Sequence, residues 1–242
     1  QEVLAHLAAQ PRGDEDQVHP LLRVRPVQRT GVVHITPDRG LCGGLNSALN
    51  RRAAQLLLSK REQGVAVSVV AVGRKGRDFL VRAGQDLRAV FTDLGDRPGL
   101  LDTLPIARLA IDDYISGAVD EVYLVYAQFV NTMVQRPVAA RLLPIEPAEE
   151  LDVYERVGYI YEPDPRVVYN ALLPRFVEMQ VYHAVLENAA SEQAARMVAM
   201  RNATENAKEV IQELTLLMNK VRQDTITREL LDIVGAVAAV GG

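Results

Sequence analysis

The chain has no tryptophan and one cysteine, Cys42. A lone thiol excludes an intrachain disulfide, so nothing covalent staples the fold, and a reducing compartment is the simplest expectation. Aromatic residues make up only 5% of a chain that is 48% hydrophobic, so its core must be mostly aliphatic. No run of 18 apolar residues occurs, so neither a transmembrane helix nor direct bilayer insertion is expected. No signal peptide is visible. Net charge is −4 with Lys and Arg spread along the chain, which gives nucleic acid no basic face to bind. The four histidines, His6, His19, His34 and His183, lack ligand spacing, so no metal site is expected.

The most informative absence is glycine. None occurs between Pro165 and Gly235, and the only internal proline of that stretch is Pro174. Pro165 suits a first helical turn, where a missing N–H costs nothing. Glu, Gln, Ala, Arg, Leu and Met then dominate, all good helix formers. A continuous helix here would be roughly 105 Å long at 1.5 Å per residue. That exceeds the width of a small domain, so its apolar stripe needs a partner helix, a surrounding protein, or both. Val210, Leu214, Leu217 and Val221 form one coiled-coil-like seam, and Ile226, Leu230, Ile233, Val237 and Val240 form another. The jump between the seams turns the stripe by about 140° at 100° per residue. Arg222, Gln223, Asp224 and Thr225 fill it. Either the helix changes partners there, or the break is an ordinary coiled-coil irregularity.

Upstream, periodicity alternates. Gly31–Thr36 reads as a strand and Leu45–Arg61 as an amphipathic helix carrying Leu45, Leu49, Ala53, Leu56 and Leu57. Val65–Val72 is a near-continuous apolar run, as for a strand covered on both faces. Arg74–Ala83 reads as helix, Leu87–Phe91 as strand and Leu104–Gly117 as helix. Glu121–Ala127 is a strong strand and Val138–Leu143 a weaker one. Such alternation implies an α/β fold, a small Rossmann-like and mostly parallel sheet. The last strand follows too closely for a crossover, so it should be antiparallel. Gln1–Ala9 reads as the tail of a helix already under way, and a chain whose beginning is absent is expected. A short native N-terminal helix is the alternative. The expected divisions are 1–27 (helix end and linker), 28–145 (α/β domain), 146–164 (proline-punctuated connection) and 165–242 (long helix).

Candidate chemistry is sparse. Arg39–Asn46 (RGLCGGLN) follows a strand and opens a helix, a place where phosphates bind in many α/β proteins. It lacks the Lys-Ser/Thr pair of a P-loop, and its glycines do not fit G-x-G-x-x-G. The alternative is a tight turn in which glycine lets backbones approach closely, so bulky residues at Gly43 or Gly44 should crowd it. Gly73–Gly76 reads as a strand-to-helix turn. Cys42 has no identifiable activating partner and reads as small and buried. Asp112 and Asp113 point about 100° apart on their helix and are expected in solvent. Asp164 can cap the long helix ahead of Pro165. These readings supply neither a catalytic residue nor a cofactor site.

Three segments carry a resemblance. Ala195–Ala207 (ARMVAMRNATENA) and Asn219–Val240 look like the C-terminal helix of the gamma subunit of F-type ATP synthases. RGLCGGLN, preceded by Asp38, resembles the signature of that family's α/β domain, which is not a catalytic nucleotide site there. Tyr161–Pro165 (YEPDP) matches the family's connection to the helix. The resemblance implies a non-catalytic rotor shaft without cofactor, whose long helix pairs antiparallel with an N-terminal helix missing from this chain. It implies contacts with the alpha and beta subunits of the catalytic head through Arg222, Gln223 and Thr227, with Arg196 and Asp232 as further polar positions important to coupling. Tyr159 and Glu162 are implied contacts of the membrane c-ring and the epsilon subunit. Placement would be peripheral, at the cytoplasmic face of the bacterial inner membrane. Two rival readings are a small-molecule- or nucleotide-binding α/β domain with a helical dimerisation arm, and a structural coiled-coil protein. A phosphate motif with a polar constellation would favour the first. The second is disfavoured because the α/β domain fills over half the chain.

Overall fold

The computed structural model describes residues 19–145 and 165–240. Gln1–Ala9, the 146–164 connection, Tyr159 and Glu162 lie outside the described residues. One compact unit runs through Arg196, and a second begins at Met197.

In the first unit, five strands form one sheet in the order β3-β2-β1-β4-β5. They are β1 (Arg29–Ile35), β2 (Ala66–Val72), β3 (Leu87–Phe91), β4 (Glu121–Phe129) and β5 (Gln135–Leu143). β1 is parallel to both β2 and β4, β2 is parallel to β3, and β4–β5 is antiparallel, as the short connection requires. The helices are α1 (Leu45–Glu62), α2 (Arg74–Arg82), α3 (Leu100–Ile115) and α4 (Pro165–Val240, 76 residues).

The period-2 alternation of the strands sorts two cores. Val32, Val69, Ala71 and Val125 face Ala53, Leu56 and Leu57 of α1 and Leu80 of α2. Val33, Ile35, Val70, Val72 and Leu124 face Ile106, Ala107, Ala110 and Tyr114 of α3. The same core takes in Leu173, Val177, Val181, Ala184 and Val185 of α4, so the first part of the long helix belongs to the sheet. The buried set of α1 is the five residues its periodicity picks out.

Four expectations need correction. α3 begins at Leu100 rather than Leu104, because the Asp102 carboxylate accepts the Gly99 N–H at 2.8 Å and caps an earlier start. Burial of β2 is complete only over Val69–Val72, its second half. Asp113 is buried rather than solvated, and Arg88 reaches it at 3.2 Å; Asp112 is exposed. The glycine roles are exchanged. A Cβ on Gly40, Gly43 or Gly44 would meet nothing within 4 Å, so that turn is not crowded. Gly43 instead needs its positive φ of 59°. The close approach is at the second pair. A Cβ on Gly73 would lie 1.9 Å from the Thr36 carbonyl oxygen, and one on Gly76 would lie 2.8 Å from Thr36 Oγ1 and 2.9 Å from His34 Cδ2. Thr36 Oγ1 donates to the Val72 carbonyl at 3.1 Å and accepts the Gly76 N–H at 2.8 Å, which clamps the loops after β1 and β2 together.

His34 lies beneath this clamp, fully buried. Its Nε2 meets Asn50 Oδ1 at 2.9 Å, and its Nδ1 has no hydrogen-bond partner among the described residues. Burial pushes its pKa down to about 4, against a smaller upward pull from the Asn50 bond.

Two stability predictions result. Gly73→Ala should cost about 3 kcal/mol or more, because backbone must move, and Gly76→Ala somewhat less. Gly43→Ala should cost about 1–2 kcal/mol through its φ alone, and Gly44→Ala almost nothing. Urea midpoints of the four variants check this order; equal losses at all four would contradict it. For His34, the native state binds fewer protons than the unfolded chain between pH 6.5 and about 4. Its contribution is complete above that window and declines by about 3 kcal/mol as pH falls through it. The stability gap between wild type and His34→Gln should narrow by that amount from pH 7 to 4, and parallel pH profiles would contradict it.

Candidate functional site

RGLCGGLN, the turn that invites a phosphate reading, is a fastener in the structure. Asp38, just before it, accepts the Arg74 N–H at 2.9 Å and the Asp93 N–H at 3.0 Å, joining the loops after β2 and β3. Cys42 and Leu45 are buried with Leu49 and Ala127, and Ala195 of α4 packs against them. Burial, and secondarily the Glu192 carboxylate, push the Cys42 thiol pKa up, so it is not an activated thiolate. Asn46 Nδ2 donates to the Arg39 carbonyl at 3.3 Å and to Cys42 Sγ at 3.2 Å. An open groove of about 630 Å³ lies between α1 and α2, lined by Asn46, Asn50, Lys75, Arg77, Asp78 and Arg82 among others. Arg77 is already held by Asp78 at 2.7 Å, and Arg82 Nε donates to the Asp78 carbonyl. Among the described residues, no cluster of three or more His, Cys, Asp or Glu could hold a metal ion.

Where β1 ends, α4 takes its place beside β4. The β1–β4 ladder stops at His34↔Val125, whereas β4–β5 pairing continues to Phe129↔Gln135. Beyond β1, Ala127 N–H donates to Asn188 Oδ1 at 3.2 Å, and Ser191 Oγ donates to the Ala127 carbonyl at 3.0 Å. One turn on, Arg196 pairs with Glu192, bonds Gln193 Oε1 at 3.1 Å and reaches the Gly40 carbonyl at 3.5 Å. Sequence reasoning missed Asn188 and Ser191. They lie in phase with Leu173, Val177, Val181, Ala184 and Ala195, the buried seam of α4, and that phase was the available signal.

The second unit is different in kind. Every side chain from 201 to 236 is exposed, including Val210, Leu214, Leu217, Val221, Ile226, Leu230 and Ile233 of the two seams. An isolated helix takes little stability from propensity, and contiguous apolar stripes mark interaction sites. Between the seams, Thr225 Oγ1 donates to the Val221 carbonyl and Thr227 Oγ1 to the Gln223 carbonyl, both at 2.9 Å. Among the described residues, no ion pair joins Arg222 to Asp224 or Glu229, and Asp232 is likewise exposed and unpaired. Among the described residues, the polar break therefore presents a guanidinium and an amide with no side-chain partner. Tyr159 and Glu162 lie outside the described residues.

A small α/β unit, and a second unit that is helix with its apolar side chains exposed from 201 to 236, define a class of subunit that presents an uncovered apolar helix. The model of the ATP synthase family matches residues 1–240. The ATP synthase gamma chain of Dehalococcoides mccartyi strain 195 is 59% identical over 99% of this chain and 82% of its own length. That of Roseiflexus castenholzii is 53% identical, over 91% and 76%. A solved structure titled as the central stalk and c-ring of the Tetrahymena thermophila mitochondrial ATP synthase is 26% identical with a TM-score of 0.63, covering 84% of this chain and 86% of that one. A Euglena gracilis mitochondrial ATP synthase chain shares the fold at 22% identity and a TM-score of 0.65. This chain belongs to the ATP synthase gamma-chain family. It is a non-catalytic subunit of the central stalk, part of the rotor. The fold and family replace the ligand-binding and purely structural readings.

Proposed function

We propose that the polar break of α4 is the contact through which this subunit biases the catalytic head. Arg222, Gln223 and Thr227, with Asp232 beyond them, meet loops of the alpha and beta subunits. Arg196 serves the same coupling from its place beside the glycine turn. The carrying observation is the exposed guanidinium of Arg222, without an ion-pair partner among the described residues, at the phase change between two apolar seams exposed over 201–236. A guanidinium makes bidentate, charge-assisted bonds to a carboxylate, stronger than neutral hydrogen bonds and geometrically selective. Such a contact made at only some rotor angles stabilises a different conformation of each catalytic site in turn, which is the differential interaction that coupling requires. At the other end, Tyr159 and Glu162 with the adjoining α/β surface meet the c-ring and the epsilon subunit. We place the assembly at the cytoplasmic face of a bacterial inner membrane, with this chain peripheral. No described helix is long and apolar enough to cross a bilayer. We divide the chain into 1–27 (helix end and linker), 28–145 (α/β domain), 146–164 (connection) and 165–242 (long helix).

Truncating one partner of a buried, hydrogen-bonded interfacial charge pair costs about 2–5 kcal/mol, against about 0–1 kcal/mol for a solvated pair. Arg222→Ala, and more so Gln223→Leu, should impair assembly or ATPase turnover of the reconstituted complex while barely changing the helicity of the isolated chain. Wild-type assembly and turnover in both variants would remove the polar break from the mechanism. In the same complex, a cysteine at position 159 or 162 should cross-link to the c-ring or to epsilon, and no product with either would count against that assignment.

A further inference from the structure

We infer that Asn188 and Ser191 are positioning residues that lock the rotation of α4 about its own axis against the α/β domain. The seam that seats α4 on the sheet runs Leu173, Val177, Val181, Ala184, Asn188, Ser191 and Ala195, and five of the seven are small or apolar and buried or nearly so. Apolar packing is non-directional and resists sliding or turning of a helix only through shape. The seam's two polar members sit where direction is available. Asn188 is 4% exposed and Ser191 0%, and both bind the backbone of one residue, Ala127, one at its N–H and the other at its C=O.

That residue is suited to the role. Across the β4–β5 ladder Ala127 faces Pro137, which has no N–H to give. On the other side β1 has already ended, since its last pair with β4 is His34↔Val125. The N–H and C=O of Ala127 therefore point to a vacated strand position, and the two side chains of α4 fill it. One accepts and the other donates, three residues apart on one helical face. Hydrogen bonds weaken steeply with misalignment, so the two together fix both the height and the azimuth of the helix. A turn of α4 would leave four buried polar groups unmet at once, which an all-apolar seam would not penalise. A single buried Asn sets register in coiled coils by the same logic. Arg196, gripped by Glu192 and touching the Gly40 carbonyl, adds a third point one turn further on. α4 has no break between Ser191 and Val240, so twist applied to it is resisted at this joint. The joint is independent of the head contacts proposed for Arg222 and Gln223.

The test uses the assembled enzyme in proteoliposomes with Ser191→Ala, which removes one hydroxyl, and with Asn188→Leu plus Ser191→Ala. With the head immobilised and a bead on a cysteine introduced at the exposed Glu62, thermal angular variance of the stalled rotor should rise about twofold or more in the double variant. It should rise less in Ser191→Ala, and protons pumped per ATP hydrolysed should fall in the same order while ATP turnover is kept. Wild-type variance and pumping ratio in both variants would overturn the inference, even with a lowered thermal midpoint, because a merely structural role predicts that pattern. If the double variant does not assemble, Ser191→Ala alone decides, with wild-type variance overturning the inference.

Discussion

A helix of 76 residues has more surface than one five-stranded sheet can cover, and that mismatch shapes the chain. Over Leu173–Ala195 the sheet and its helices supply the cover, with buried apolar side chains and hydrogen bonds to the end of β4. From 201 to 236 nothing in the described chain covers it. The burial that holds the first part gives the rotor its body. The exposure of the rest leaves the seams and the polar break uncovered among the described residues. In the coupling role proposed above, what varies with rotor angle is contact free energy.

The glycine turns, Thr36, Asp38 and Cys42 are the fastenings of that body. Each joins loops at one end of the strands: Asp38 those after β2 and β3, Thr36 those after β1 and β2, and Cys42 the turn to β4 and α4. A phosphate-like sequence is thus spent on packing. Buried Glu121 makes a similar fastening near the start of β4, where it accepts from Thr30 Oγ1 at 2.6 Å and pairs with Lys60 at 2.6 Å. It is cut off from solvent but paired, as a buried charge must be.

Much of this was legible in the sequence because period-2 and period-3.6 patterns are local. The strands, the buried face of α1 and the long helix appear in the residue order, as does the antiparallel last strand. Features set by tertiary neighbours were not legible. Gly43 and Gly73 are alike in sequence, but only Gly73 lies against the Thr36 carbonyl. Asp113 looks like half of a solvated acidic pair until α3 turns it toward Arg88. Asn188 and Ser191 share the phase of the buried seam of α4, but that phase does not show what two polar side chains would bind there. Only the ending of β1 before β4 gives them a peptide to bind.

Hydrogen–deuterium exchange of α4, in the free chain and in the assembled enzyme, tests the division between covered and uncovered helix most directly. Amides over residues 173–196 should be protected in both states, and those over 201–236 only after assembly. Equal protection of 201–236 with and without the partner subunits would contradict the account.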